Sequence, residues 1–259
     1  MNLAYIQWEV APEIFTIGPF QLRWYGILFA SGFLIGFYLM QWIYAREGKP
    51  KRDLDTLLWY LLIGTVVGAR LGHCLFYEPA YYLENPEKIL AIWEGGLASH
   101  GGTLGVFLAL YLYTRRRSDQ PFVWLADRLA IPTALAATLI RLGNLFNSEI
   151  YGKITTVAWA FIFARVDPHP RHPTQLYEAL WYFGLFGLLL YLYRRGFYRH
   201  WPVGRPLGLF LSWVFGGRWA IEWVKEPQEA FSLGLGWNMG QLLSVPFFAV
   251  GIYLLLRKK

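Results

Sequence analysis

Residues 55–77 read DTLLWYLLIGTVVGARLGHCLFY, an apolar run long enough to cross the roughly 30 Å hydrocarbon core of a bilayer as one helix. Within it Gly64, Gly68 and Gly72 recur every fourth residue, the interval at which small residues let helices approach closely in lipid. Comparable runs lie at approximately 21–43, 97–114, 122–144, 176–194, 206–225 and 237–256, so the sequence predicts about seven transmembrane helices. The third is short and the sixth carries charges. Gly32/Gly36 and Gly101/Gly105 repeat the close-approach spacing. Composition agrees: 56% of the 259 residues are hydrophobic and only 16% charged, against about 25% in soluble domains. The 13 Trp and 17 Tyr are the residues that collect at membrane interfaces. The expected class is an all-α integral membrane protein, with residues 1–259 forming a single transmembrane domain.

The links between these runs alternate in charge. YAREGKPKRD, TRRRSDQ, YRRGFYRHWPVGR and the tail LLLRKK are basic, while EPAYYLENPEK and KEPQEAFSLGLG are acidic. Basic links stay cytoplasmic, which puts the N-terminus outside and the C-terminus in the cytoplasm. The same distribution accounts for the net charge of +7 without nucleic acid as a partner. Cys74 is the only cysteine, so no intrachain disulfide is expected, and Cys/His spacings for a metal are missing. Residues 1–20 have neither a basic nor an apolar leader pattern, so no cleaved signal peptide is expected, and their alternation suggests a segment at the membrane surface. The one long link, 145–175, is expected to form a small outer cap between spans four and five. Its TTVAWAFIF is rich in strand formers and could be a short β-ribbon.

Ionisable residues inside spans are costly and face cavities or partners. With the orientation above and about 1.5 Å of rise per residue, Tyr25, Arg70, His100, Arg141, Arg218 and Glu222 all fall in the outer half of the membrane, although their spans run in opposite directions. Such a level points to a shared polar cavity. Three arginines beside one or two carboxylates leave positive charge, and the planar guanidinium suits phosphate. A lipid phosphate at headgroup depth is the obvious anion.

The stretch LIRLGNLFNSEIYG, residues 139–152, adds detail. Asn144 and Asn147 share roughly one helical face with Arg141, and Glu149 follows. The plain alternative is a helix end capped by Asn147 and Gly152. His100 is bracketed by Gly95, Gly96, Gly101 and Gly102, which implies an irregular backbone that must line protein or water. His73 has no such context and reads as a packing residue.

At these residues the chain resembles the bacterial phosphatidylglycerol–prolipoprotein diacylglyceryl transferases. RLGNLFNSEIYG matches that family's signature at Arg141, Gly143, Asn144, Asn147, Glu149 and Gly152. Family-like blocks also occur at RWYG (23–26), GARLGHCLFY (68–77), WEGGLASHGG (93–102), ADRLAIP (126–132), HPTQLYE (172–178), GRWAIEWVKEP (217–227) and NMGQLLSVP (238–246). Eight blocks in family order cover nearly the whole chain. One departure is Val214, where the family commonly has a tyrosine four residues before the arginine of the sixth span. The resemblance implies transfer of the diacylglyceryl group of phosphatidylglycerol to the lipobox cysteine of a lipoprotein precursor, with no cofactor. It also implies the bacterial inner membrane, with the site toward the periplasm.

That chemistry needs a stabilised leaving phosphate and a thiolate nucleophile. Arg141 and Arg218 are the expected phosphate ligands, with Arg70 either helping or paired to a carboxylate. His100 is the expected base, since imidazole titrates near pH 6.5; alternatively the arginine field alone lowers the thiol pKa and His100 binds the headgroup. Tyr25, Asn144 and Asn147 are expected to position substrate, with Gly152 in the same signature, and Glu149 and Glu222 to orient the arginines. A transporter is the rival reading, but its site would lie near the midplane between repeats, and no repeat is visible. A retinal receptor would need a lysine in the last span, which has none.

Overall fold

A computed structural model describes residues 5–18, 20–92, 95–226 and 237–257. The elements run β1 (Ile6–Trp8), β2 (Glu13–Ile17), β3 (Phe20–Arg23), α1 (Trp24–Arg46), α2 (Lys51–Phe76), α3 (Pro79–Glu84), a 3-10 turn (Pro86–Leu90), α4 (Ser99–Arg116) and α5 (Phe122–Asn147). They continue with β4 (Phe161–Phe163), β5 (Pro170–Arg171), α6 (Thr174–Arg194), α7 (Phe197–His200), α8 (Arg205–Ile221) and α9 (Met239–Leu256). Two compact units emerge, one made of Met1–Leu39 with Ala126–Lys259 and the other of Met40–Leu125.

Five helices, α1, α2, α5, α6 and α9, are long and apolar enough to cross a membrane. Expected spans three and six are helical too, as the 18 residues of α4 and the 17 of α8, but they fall outside those five. α8 stops at Ile221, so Glu222 is its C-cap rather than an interior residue. The helices carry bare apolar side chains, among them Trp59 (64% exposed), Leu104 (66%) and Leu180 (70%). Water would penalise such surface and lipid does not.

In the Met40–Leu125 unit, α2 and α4 meet along their glycines. A Cβ on Gly72 would lie 2.6 Å from Gly101 Cα, and one on Gly68 2.7 Å from Gly105 Cα, so only glycine fits this seam. The other end of the pair is closed by polar bonds. Asp53 is 3% exposed and ion-pairs with Arg117; Gln120 Nε2 donates to Asp53 Oδ2 at 2.8 Å. The hydroxyls of Tyr44 and Tyr113 donate to Gln120 Oε1 at 2.7 and 2.8 Å.

In the other unit, Gly32 and Gly36 of α1 lie against Ala136 and Pro132 of α5. Asp127 caps α8 from a distant part of the chain: its carboxylate accepts from Gly204 N at 2.8 Å and Leu207 N at 2.9 Å. α9 opens with a capping box between Asn238 and Gln241. Strands β4 and β5 of the long link form a three-stranded sheet with β1, in which β1 pairs parallel with β4 and β4 antiparallel with β5. Its core is Leu145, Phe161 and Phe163, packed by Trp8, Tyr151 and Leu176. The ribbon expected over TTVAWAFIF is a strand only in its last three residues. The N-terminal segment, expected as a surface stretch, supplies β1 as that strand's partner and the β2–β3 hairpin.

Candidate active site

The signature after the greasy run of α5 closes on itself. Arg141 Nη1 donates to Asn144 Oδ1 at 3.2 Å, one turn along the helix. Asn144 Nδ2 and Asn147 Nδ2 both donate to Glu149 Oε1, at 2.8 and 3.2 Å. Glu149 thus orients the asparagines directly and Arg141 only through Asn144. The helix ends at Asn147, but the left-handed residues that follow are not glycines: Ser148 has φ 53° and Ile150 φ 60°. A β-branched residue in that region is strained. Two side chains from the start of α6 hold it there. Thr174 Oγ1 donates to Ile150 O and Gln175 Nε2 to Glu149 O, both at 2.8 Å. Held strain of this kind clusters at functional sites. Tyr25 of α1 lies over Gly143, where a Cβ would come within 2.8 Å of its ring, and within electrostatic reach of Glu149 and Arg141.

From Arg141 a chain of alternating charge runs to Arg218. Arg141 Nε is 2.9 Å from Glu178 Oε2 on α6. Glu178 Oε1 is 3.5 Å from Lys225 Nζ, and Lys225 Nζ is 3.3 Å from Glu222 Oε1. Glu222 Oε1 is 3.8 Å from Arg218 Nε, while its Oε2 accepts from Asn238 Nδ2 at 3.0 Å. Tyr182, 4% exposed, interacts with both arginines and with Glu178. Arg141 and Arg218, remote in sequence, therefore end on one connected cluster.

The cluster is buried and incompletely bonded. Asn147 Oδ1 and Arg218 Nε are buried without a hydrogen bond, and the two Glu178 oxygens are held by ion pairs alone. Native structures leave few buried polar atoms in this state. Arg141, Lys225 and Arg218 against Glu178 and Glu222 leave one positive charge, which exposed Glu149 offsets formally. Arg218, with its side chain 38% exposed against 16% for Arg141, keeps the more open guanidinium.

Gly152 is a point of close backbone approach. It pairs antiparallel with Lys225, and a Cβ there would come within 2.6 Å of both Val224 O and His172 Cβ. Gly152 thus joins the long link to the segment just past α8.

The Met40–Leu125 unit holds Arg70, His73 and His100. Arg70, expected to help with the phosphate or to pair with a carboxylate, bonds extensively to its own chain among the described residues. Its five N–H donors all go to backbone carbonyls: Nε to Ile89 at 3.0 Å, Nη1 to Gly95 and Gly96 at 2.5 and 3.1 Å, and Nη2 to Lys88 and Ala91 at 2.5 and 3.2 Å. It lies 5.1 Å from the Tyr82 ring centroid and is 4% exposed. This arginine folds the link between the 3-10 turn and α4, and it has no donor left for an anion. Gly95 and Gly96, both at positive φ, bring their carbonyls to it. His73 stacks on Tyr77, as a packing residue would. His100 is exposed in the first turn of α4.

The family model for prolipoprotein diacylglyceryl transferase matches residues 12–257. The chain is 54% identical over 249 residues to a protein of Tolumonas auensis named phosphatidylglycerol–prolipoprotein diacylglyceryl transferase, with 96% of each chain covered. Proteins of the same name from Chloroherpeton thalassium and Porphyromonas gingivalis are 48% and 46% identical, covering 97% and 98% of this chain and 94% and 95% of theirs. This chain belongs to the prolipoprotein diacylglyceryl transferase family.

In this transferase the sequence reading overlooked Glu178, Lys225, Tyr182 and Asn238. A signal existed for Glu178, an ionisable residue at the start of span five, to which the argument from depth applies as it does to Arg141. Lys225 lies past the end of α8 and has no helical periodicity to flag it. Val214 is half-buried on α8, and the hydroxyl that interacts with Arg218 belongs to Tyr182 of α6. Among the described residues no three His, Cys, Asp or Glu side chains converge to hold a metal ion.

Proposed function

We propose that this chain carries out the transfer its relatives are named for, moving the diacylglyceryl group of phosphatidylglycerol onto the lipobox cysteine of a lipoprotein precursor. The cysteine sulfur, as thiolate, attacks the glyceryl carbon bonded to the phosphodiester oxygen. The C–O bond breaks, a thioether forms, and glycerol phosphate leaves with the bonding electrons. Arg218 and Arg141 bind the phosphate and stabilise the charge that grows on its oxygen. Tyr25, Asn144 and Asn147 position the substrates by hydrogen bonds. His100 is the candidate acceptor of the thiol proton, with thiol activation by the arginine field alone as the alternative. The observation that carries this reading is the single buried cluster joining Arg141 to Arg218, with polar atoms left unbonded inside it.

The setting follows from the same reading. α4 and α8 cross the membrane with the five longer helices, giving seven spans, an external N-terminus and a cytoplasmic C-terminus. The arginine cluster then lies at outer-leaflet headgroup depth in the bacterial inner membrane, and residues 145–175 cap it on the periplasmic side. The basic links on one side support this orientation.

The purified protein, given headgroup-labelled phosphatidylglycerol and a lipobox peptide, should release glycerol phosphate only when the peptide carries its thiol. Arg218→Ala and Arg141→Ala should each lower the rate on the order of 10²–10³-fold. Release that ignores the thiol, or lipid movement with no bond cleaved, would overturn the proposal, the latter in favour of a transporter.

A further inference from the structure

We infer that Lys225, wedged between Glu178 and Glu222, is a positioning residue that keeps the two arginines open to an anionic headgroup; this rests on the function proposed above. The Lys225 side chain is 5% exposed, and its ammonium is 3.5 Å from Glu178 Oε1 and 3.3 Å from Glu222 Oε1. A buried lysine persists as a cation only where carboxylates neutralise it, and here two do. Its backbone is fixed independently of those charges. Lys225 pairs with Gly152, Lys153 N donates to Val224 O at 2.8 Å, and Glu226 N donates to Tyr151 O at 3.2 Å. The long link therefore sets where the ammonium stands.

The effect is on the arginines. A guanidinium beside a free buried carboxylate closes into a two-pronged pair that satisfies both groups and leaves neither for a ligand. Lys225 and Asn238 occupy Glu222, whose distance to Arg218 Nε stays at 3.8 Å, longer than a hydrogen bond. Arg218 Nε is accordingly buried and unbonded, while the side chain is 38% exposed. On the other side Lys225 shares Glu178 with Arg141. A compact ammonium can divide itself between two carboxylates in this way, whereas a planar fork would fix on one. The bridge thus acts through charge balance, and it connects the signature turn of the long link to the arginine pair.

The test is a set of charge-neutral pairs. Lys225→Met should raise the KM for phosphatidylglycerol about tenfold and change kcat by less than about threefold, because the freed carboxylates close on the arginines. Glu178→Gln combined with Lys225→Met removes one charge of each sign, and its KM should return to within about threefold of the unmutated enzyme. If Lys225→Met does not accumulate, the Glu178→Gln/Lys225→Met and Glu222→Gln/Lys225→Met proteins are compared with their glutamine single variants, which should not be better than the doubles. Additive losses in the doubles, or an unchanged KM in Lys225→Met, overturn the bridge. An Arg218→Ala protein with full activity would instead sink the function on which the bridge rests.

Discussion

Arg70 and Arg218 both sit on apolar helices, and the count of filled donors separates them. Arg70 has all five on carbonyls, while Arg218 has a buried Nε with no hydrogen bond and an open guanidinium. In the sequence the two look alike: each sits in an apolar run, near glycines, at similar depth. No periodicity foretells that the carbonyls of residues 88–96 will wrap one of them. His100 is exposed and stands at the first turn of a helix whose start is fixed by Ala98 N donating to Ala69 O at 2.9 Å. If it takes the thiol proton, His100→Gln should lower turnover by about 10²–10⁴-fold with little effect on lipid affinity. Near-normal turnover would leave the arginine field as the only thiol activator.

At the scale of elements, glycine position separates seam from surface. Gly105 of α4 meets the Gly64 backbone so closely that any Cβ must push the two helices apart. Gly105→Val should destabilise the protein by at least about 1–3 kcal/mol, the usual range for overpacking, read as earlier thermal unfolding in detergent. Gly187 of α6 has nothing within 4 Å of a Cβ and sits mid-helix. Gly187→Ala should therefore stabilise by about 0.5–1 kcal/mol. The four-residue glycine spacing announced close helix approach, since it creates a continuous groove on one helical face, but not that α2 and α4 would be partners. It could not say that Gly152, outside any helix, would be just as constrained, because that crowding comes from His172 and Val224, distant in the chain.

At the scale of the whole molecule, the long link should respond to acid in two steps. Trp159 Nε1 donates to the Tyr177 hydroxyl at 2.8 Å, and that hydroxyl shares a hydrogen bond with His172 Nδ1 at 3.1 Å. Burial holds the pKa of His172 below the ordinary 6.5. Because the folded form resists the proton, this contribution is intact above pH 6.5 and fades as pH falls below it. Asp167 is held below its ordinary 3.8 first by its hydrogen bond to Arg171, and that contribution is lost only at lower pH, through its folded value. Protease sensitivity across residues 154–166 should rise as pH falls below 6.5 and again as it falls below 3.8. His172→Gln should abolish the first rise and leave the second, and an unaltered first rise would contradict the argument.

The sequence alone determined the membrane class, the family and the helix-rich architecture, and it singled out Arg141, Arg218, Asn144, Asn147, Glu149 and Glu222, which the fold joins through polar contacts. Apolar run length, charge alternation and local spacing are properties of the chain itself, and the bilayer reads them directly. Tertiary structure decided that Arg70 is a scaffold, that the N-terminal segment completes a sheet with β4, and that Glu178 and Lys225 link the arginines. Those outcomes depend on contacts between residues tens of positions apart, whose charges and carbonyls cannot be matched until the fold brings them within a few ångströms.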